Sequence, residues 1–305
     1  MAALDSLVIY RKQLGDVLLL QPALEWLAQR GSVGVATRPA FADLLALMPG
    51  NIALAPGAFP RARHVYCLET RRGAIAYAAS AIGARRHLLK SRERGSRWHH
   101  LVFSEISVTP GRDMYRAALF HAMLDGRPED FRPPRLESPP ADWLPAGLPA
   151  DYGVIHPTAA WEHKTWSAGK WCAALQERGG DLPWVVTAGP APWEQALAGQ
   201  LAACLGGRAI NLAGRTNLRQ YLAVLANARL VLCVDGSASH LAAAFGKPTL
   251  TLFGPTNPIH WHCPGPATIR LAAQDFCAEA RPPVDAIPVA AVGAAIDRLL
   301  AVAHG

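Results

Sequence analysis

Short apolar runs of strand length alternate with helical patterns along both halves of the chain, and this alternation narrows the possible folds more than any other feature. In the first half, SLVIY (6–10) and SVGVAT (32–37) read as strands, while VLLLQPALEWLAQR (17–30) and PAFADLLALM (39–48) read as helices. In the second half, YGVIHP (152–157), PWVVTA (183–188), AINLA (209–213), RLVLCVD (229–235) and PTLTLF (248–253) read as strands, with helices over 167–178, 192–205, 217–228 and 238–245. Near-continuous apolar strands joined by helices predict parallel sheets covered on both faces, an α/β fold of the doubly wound kind. The stretch 132–152, rich in proline and without periodicity, predicts a linker between a Rossmann-like domain over 1–145 and a second over 151–288. The segment 289–305, carrying the helix VAAVGAAIDRLLAVA, is expected to pack back on the first domain. Ligands of such sheets bind beyond the carboxyl ends of the strands, so two facing sheets predict an interdomain cleft.

Thirty Lys and Arg against 23 Asp and Glu leave a formal charge of +7, which favours anionic partners: nucleotides, phosphorylated glycans, nucleic acid or an acidic membrane face. The six cysteines (Cys67, Cys172, Cys204, Cys233, Cys263, Cys277) are scattered without a C-x-x-C pair and read as reduced structural thiols of a cytosolic protein. The first residues, MAALDSLVIYRKQLGD, lack the basic region and cleavage site of a secretory leader. No run reaches the roughly 18 apolar residues of a membrane span, so any membrane contact is expected to be peripheral.

The phosphate motifs with the strongest signatures are missing: no G-x-G-x-x-G follows a strand, and neither Gly169-Lys170 nor Gly246-Lys247 completes a Walker loop. In VLCVDGSASHLAAAFGKPTLTLFGPT (231–256), a buried strand runs through Asp235, Gly236 and Ser237 into a helix carrying His240. Those residues suit an ordinary helix cap first, and otherwise a phosphate cradle, because free amides and the helix dipole at that end attract an anion. Gly15 and Asp16 follow the first strand; Asp16 either caps its helix or serves as a general base, weakened as a base by the helix terminus. HPTAAWEHKTWSAGKW (156–171) places Thr158 and Lys164 in a strand-to-helix loop, where an ammonium can neutralise a diphosphate leaving group or simply be solvated. Glu194, in TAGPAPWE, is either a ribose-binding carboxylate or a first-turn helix glutamate. His260, His262 and Cys263 have crude metal-ligand spacing but no partner cluster, so no metal site is assigned. Asp235, Ser237 and His240 crowd together without the elbow a triad nucleophile requires. The basic stretch 84–100, with Arg112 and Arg116 beyond it, reads as a solvated helix and loop or as a guide for a phosphorylated acceptor. Its stacking aromatics are too few to support nucleic-acid binding.

Taken together, RKQLGDVLLLQPAL (11–24), HPTAAWEHKTWSAGKW and the long segment from Asn211 to Pro258 resemble glycosyltransferase family 9, the ADP-heptose:lipopolysaccharide heptosyltransferases. The region from about 50 to 140 resembles the family little, and acceptor choice is expected to reside there. The resemblance implies a GT-B architecture and metal-independent inversion without a cofactor, with the acceptor on the first domain and the nucleotide sugar on the second. It implies that Asp16 takes the acceptor proton, that Lys164 and Thr158 hold the diphosphate, that Glu194 binds ribose and that the backbone near Thr216 meets adenine. Asp235, Gly236, Ser237 and His240 would form the sugar and phosphate turn, with Arg112 and Arg116 on the acceptor side. The implied partners are an ADP-sugar donor and a phosphorylated lipopolysaccharide core acceptor at the cytoplasmic face of the inner membrane. Two departures stand out: the family usually has Asp-(Ser/Thr)-Gly where this chain has Asp235-Gly236-Ser237, and Gln13 stands where a small hydroxyl residue is common. A sugar-nucleotide epimerase or hydrolase on the same scaffold and a non-catalytic polyanion-binding protein are the competing expectations.

Overall fold

The computed structural model describes residues 3–55, 57–92, 97–265 and 267–303. The chain divides into two compact units, Met1–Glu137 and Ser138–Gly305. The first runs β1 (Leu4–Ile9), α1 (Leu14–Leu18), α2 (Gln21–Ala28), β2 (Val33–Ala36), α3 (Ala42–Ala46), β3 (Ala53–Leu54), β4 (Ala62–Cys67), α4 (Arg72–Ala79), β5 (Arg85–Lys90), β6 (Glu105–Val108) and α5 (Arg116–Met123). The second continues with β7 (Gly153–His156), α6 (Ala168–Arg178), β8 (Trp184–Val186), α7 (Pro192–Leu205), β9 (Ala209–Asn211), α8 (Leu218–Ala226), β10 (Leu230–Val234), α9 (Ser237–Ala244), β11 (Thr249–Phe253), α10 (Pro258–Trp261), β12 (Thr268–Ala272) and α11 (Val289–Val302).

Among the described residues each unit holds one six-stranded parallel sheet, ordered β3-β2-β1-β4-β5-β6 in the first and β12-β11-β10-β7-β8-β9 in the second. Both orders are those of the Rossmann sheet, which reverses direction between its first and fourth strands. The strands are buried on both faces, as their unbroken apolar runs require: Leu7, Val8 and Ile9 of β1 and all of Leu230–Val234 in β10 are excluded from solvent. Each such side chain contributes about 1.5–3 kcal/mol through its removal from water. In the second unit Trp166, Trp171 and Trp184 lie fully buried in one cluster, and the Trp166 indole donates to the Ile287 carbonyl at 3.1 Å, satisfying its one polar atom.

Four expectations need correction. The division falls at Glu137, inside the proline-rich stretch but ahead of 145, because Trp143 lies under the Arg219 guanidinium and belongs with α8. The C-terminal helix α11 belongs to the second unit: its apolar stripe of Val292, Ala295, Ile296 and Leu299 joins the tryptophan cluster. Residues 85–90 of the basic stretch form a strand, since His87, Leu88 and Leu89 are buried between β4 and β6 while Arg85 reaches solvent. Residues 93–96 of that stretch, Glu93 among them, lie outside the described residues. Cys172 of α6 and Cys204 of α7 form a disulfide, so these two are not reduced thiols; packing of the two helices brings them together across 32 residues of sequence, a proximity no spacing rule reveals. Cys67 and Cys233 remain as thiols, and burial pushes both up to about 12, which keeps them protonated and inert.

Candidate active site

The second sheet reverses between β7 and β10, the position at whose carboxyl edge sheets of this kind bind their ligands. Lys164 lies in the loop after β7 and Asp235 directly follows β10. Their side chains meet there: the Lys164 ammonium donates to Asp235 Oδ2 at 2.6 Å, although 71 residues separate them in sequence. Only 16% of the lysine side chain and 6% of the aspartate side chain are exposed, so this is a mostly desolvated ion pair. The lysine also sits 5.2 Å from the Trp161 ring centroid, whose π face attracts the same cation.

Thr158, Gly236, Ser237 and His240 lie in the same two loops and helix start as this pair. Thr158 is fully buried, and among the described residues nothing hydrogen-bonds its hydroxyl. Helix α9 opens at Ser237 with Gly236 as its N-cap, so its first amides lie beside Asp235. His240, one turn into that helix, is buried; burial pushes its imidazole down to about 4 against the pull of Asp235, and its Nδ1 finds no partner among the described residues. At neutral pH it is therefore an uncharged hydrogen-bonding group, and the positive charge of the site comes from Lys164 and the helix terminus. The displaced glycine does not strain the turn. Gly236 is fully extended at φ −174°, and an added Cβ would meet Ala159 at an ordinary 3.5 Å.

Glu194 occupies the first turn of α7, beyond β8, and accepts a hydrogen bond from the Ala191 amide at 3.3 Å. Its carboxylate is buried against Gly189, where any Cβ would collide with both carboxylate oxygens; the glycine of TAGPAPWE is there for that contact. Thr216 lies half-buried just before α8, in the loop after β9. Thus Asp235, Lys164, Glu194 and Thr216 follow β10, β7, β8 and β9, which are neighbours in the sheet. Three buried groups escaped the sequence reading. His156 at the end of β7 shares a hydrogen bond with the Thr187 hydroxyl at 2.9 Å and is pushed down to about 4 by burial. Beside it stands Tyr221, its ring centroid 5.6 Å from that of His156 and its phenol pushed up by burial. Each directly ends a strand or lines a helix start, so an apolar pattern concealed them.

In the first unit the reversal point lies between β1 and β4, and Asp16 follows β1. Asp16 accepts from the Gln13 amide at 3.3 Å. Its carboxyl is nevertheless raised above the ordinary value, burial being the largest cause, with Glu69 adding to it and the Gln13 amide, Lys12 and Arg116 opposing. The expectation that the helix terminus makes it a weaker base is thus corrected: desolvation outweighs the terminus of a helix only five residues long. Arg116 acts on the Asp16 charge, whereas Arg112 is exposed on the preceding turn. Glu69, in the loop after β4, is a further buried carboxylate that the sequence reading missed. Among the described residues no group of three or more His, Cys, Asp or Glu is arranged to hold a metal ion.

A model of glycosyltransferase family 9 (heptosyltransferase) matches residues 128–281, half of the chain. The chain belongs to glycosyltransferase family 9. The family 9 match contains Thr158, Lys164, Glu194, Thr216 and the Asp235 turn. Lipopolysaccharide heptosyltransferase 3 of Escherichia coli is 33% identical over 186 residues, 54% of either chain; the chain spans about half the length of the curated relatives it matches. Among solved structures, the family 9 glycosyl transferase from Veillonella parvula DSM 2008 superposes with a TM-score of 0.82 over 99% of both chains at 15% identity. E. coli heptosyltransferase WaaC, solved with ADP, gives 0.74 over 97% of this chain and 99% of its own at 17% identity. These likenesses place the fold as GT-B, built from two Rossmann-like units.

Proposed function

We propose that this chain is an inverting, metal-independent glycosyltransferase that moves a heptose-like sugar from an ADP-sugar to a phosphorylated lipopolysaccharide core acceptor. The observation that carries the reading is the group of Thr158, Lys164, Asp235 and His240 with the α9 terminus at the reversal point of the second sheet, inside the segment that matches family 9. A diphosphate placed there meets an ammonium, unpaired amides and a buried hydroxyl, the groups an anion requires. Glu194 binds the ribose hydroxyls and the backbone near Thr216 the adenine. E. coli WaaC, solved with ADP, lends support to the choice of nucleotide.

In this reading the acceptor hydroxyl oxygen attacks the anomeric carbon as the bond from that carbon to the diphosphate breaks. The bonding pair leaves with ADP, whose growing charge Lys164 and the helix amides stabilise. The hydroxyl proton passes to Asp16, and its raised proton affinity suits it to accept one. Arg112 and Arg116 attract the acceptor phosphates. The enzyme works in the cytoplasm, at the inner-membrane face that presents its lipid-linked acceptor; the chain's +7 charge favours such an anionic surface, and no described helix is long and apolar enough to cross it.

The test pairs two variants in an assay of sugar transfer and a thermal-shift titration with ADP. Asp16→Ala should lose transfer by 10²-fold or more, on the order expected for removal of a general base, while keeping the ADP-induced shift. Lys164→Ala should lose the ADP shift. Full transfer by the first variant removes the base assignment, and release of free sugar without any acceptor would make the enzyme a hydrolase instead.

A further inference from the structure

Strand β4 lies beside β1 across the reversal point of the first sheet, with Cys67 in register with Ile9. The ladder continues one step past the strand ends, where the Leu68 amide donates to the Ile9 carbonyl at 3.2 Å. Beyond that point the backbones part, and a side chain takes over: the Arg11 amide donates to Glu69 Oε1. The Glu69 side chain is 1% exposed. Among the described residues its Oε2 accepts no hydrogen bond, and the Arg71 guanidinium stands off at 3.9 Å. A buried carboxylate with half of its acceptor capacity unused is costly, and the fold retains it directly beside the loop that leads to Asp16.

We infer that Glu69 is a positioning residue for the general base: its carboxylate pins the Arg11 end of the β1–α1 loop and holds a second negative charge beside Asp16. This inference rests on the role of Asp16 given above. The groups facing Asp16 are the Gln13 amide and Lys12 of its own loop, Arg116 at the start of α5, Tyr10 at the end of β1 and Glu69 after β4. Of the charged ones, Lys12 and Arg116 favour the ionised carboxylate, whereas Glu69 opposes it. Burial is the largest cause of the raised Asp16 value, and Glu69, the smallest of those named, adds to it against Lys12 and Arg116.

The experiment is a pH profile of kcat and kcat/KM for full-length wild type, Glu69→Gln, Glu69→Asp and Asp16→Asn. Glutamine keeps an oxygen for the Arg11 amide but removes the charge. The acid limb of Glu69→Gln should move slightly to lower pH, since Asp16 loses a like-charged neighbour, and kcat on the plateau should fall severalfold as the Arg11 amide loses its charged anchor. ADP affinity should stay at the wild-type value. Glu69→Asp keeps the charge on a shorter arm, so its limb should hold position while kcat falls; if Glu69→Gln loses its folded circular dichroism, this variant decides, and wild-type kcat in it overturns the inference. Should Asp16→Asn be inactive while Glu69→Gln superimposes on wild type, the role of Glu69 falls and that of Asp16 stands. Full transfer by Asp16→Asn removes both.

Discussion

Lys164→Ala tests the ion pair at the second reversal point before any substrate is added. The change strips the Lys164 ammonium from a carboxylate whose side chain is 6% exposed. Removing one member of a buried pair typically costs 3–5 kcal/mol, because the remaining charge stays desolvated. Asp235 lies beside the start of α9, and the positive end of that helix recovers about 1 kcal/mol, leaving a loss of about 3 kcal/mol. At roughly 2–4 °C per kcal/mol for a unit of this size, the apo protein should melt about 6–12 °C lower. Differential scanning calorimetry at pH 7 without nucleotide measures it. The double variant Lys164→Met, Asp235→Leu should recover most of the loss, since it leaves no orphaned charge. A single variant within about 1 °C of wild type, or a double variant worse than the single, would refute the view that the two charges are held together out of water.

The buried histidines make a second prediction. His156 and His240 are held at about 4 in the folded protein against an ordinary 6.5, so the unfolded chain takes up protons first as pH falls. Stability from these groups is complete above about pH 6.5 and declines toward pH 4, by about 2–3 kcal/mol per histidine at pH 4.5. Urea unfolding across this range should show the decline, and His240→Gln should remove about half of it; an unchanged slope would contradict the burial. A third concerns Gly189→Ala, whose Cβ would displace the Glu194 carboxylate. ADP affinity measured by calorimetry should fall about tenfold through the lost hydrogen bonds, and a wild-type affinity would detach Glu194 from the nucleotide.

Much of the architecture was legible because parallel strands buried on both faces leave uninterrupted apolar runs, and Leu230–Val234 or Thr249–Phe253 could be little else. Strands β4 and β5 were not legible. ARHVYC and RRHLLK carry arginines and histidines that a local pattern assigns to solvent, and only their neighbours in the sheet bury the rest. With β4 unseen, the loop carrying Glu69 had no reason to attract notice. The individual members of the proposed nucleotide site were legible as residue types in strand-to-helix loops, each ambiguous with a cap or a solvated charge.

The order of residues along the chain therefore settled the class of fold, the family and the chemical inventory of each loop, because hydrophobic periodicity and turn chemistry are local properties. Adjacency was decided in three dimensions. Lys164 meets Asp235 across 71 residues, Cys172 reaches Cys204 through the packing of α6 on α7, and Glu69 holds the Arg11 amide across 58. In a sheet ordered 3-2-1-4-5-6 the first and fourth strands become neighbours, so the loops that share a site are those the sequence keeps far apart. Burial in that arrangement, rather than residue identity, raises Asp16 and lowers His240.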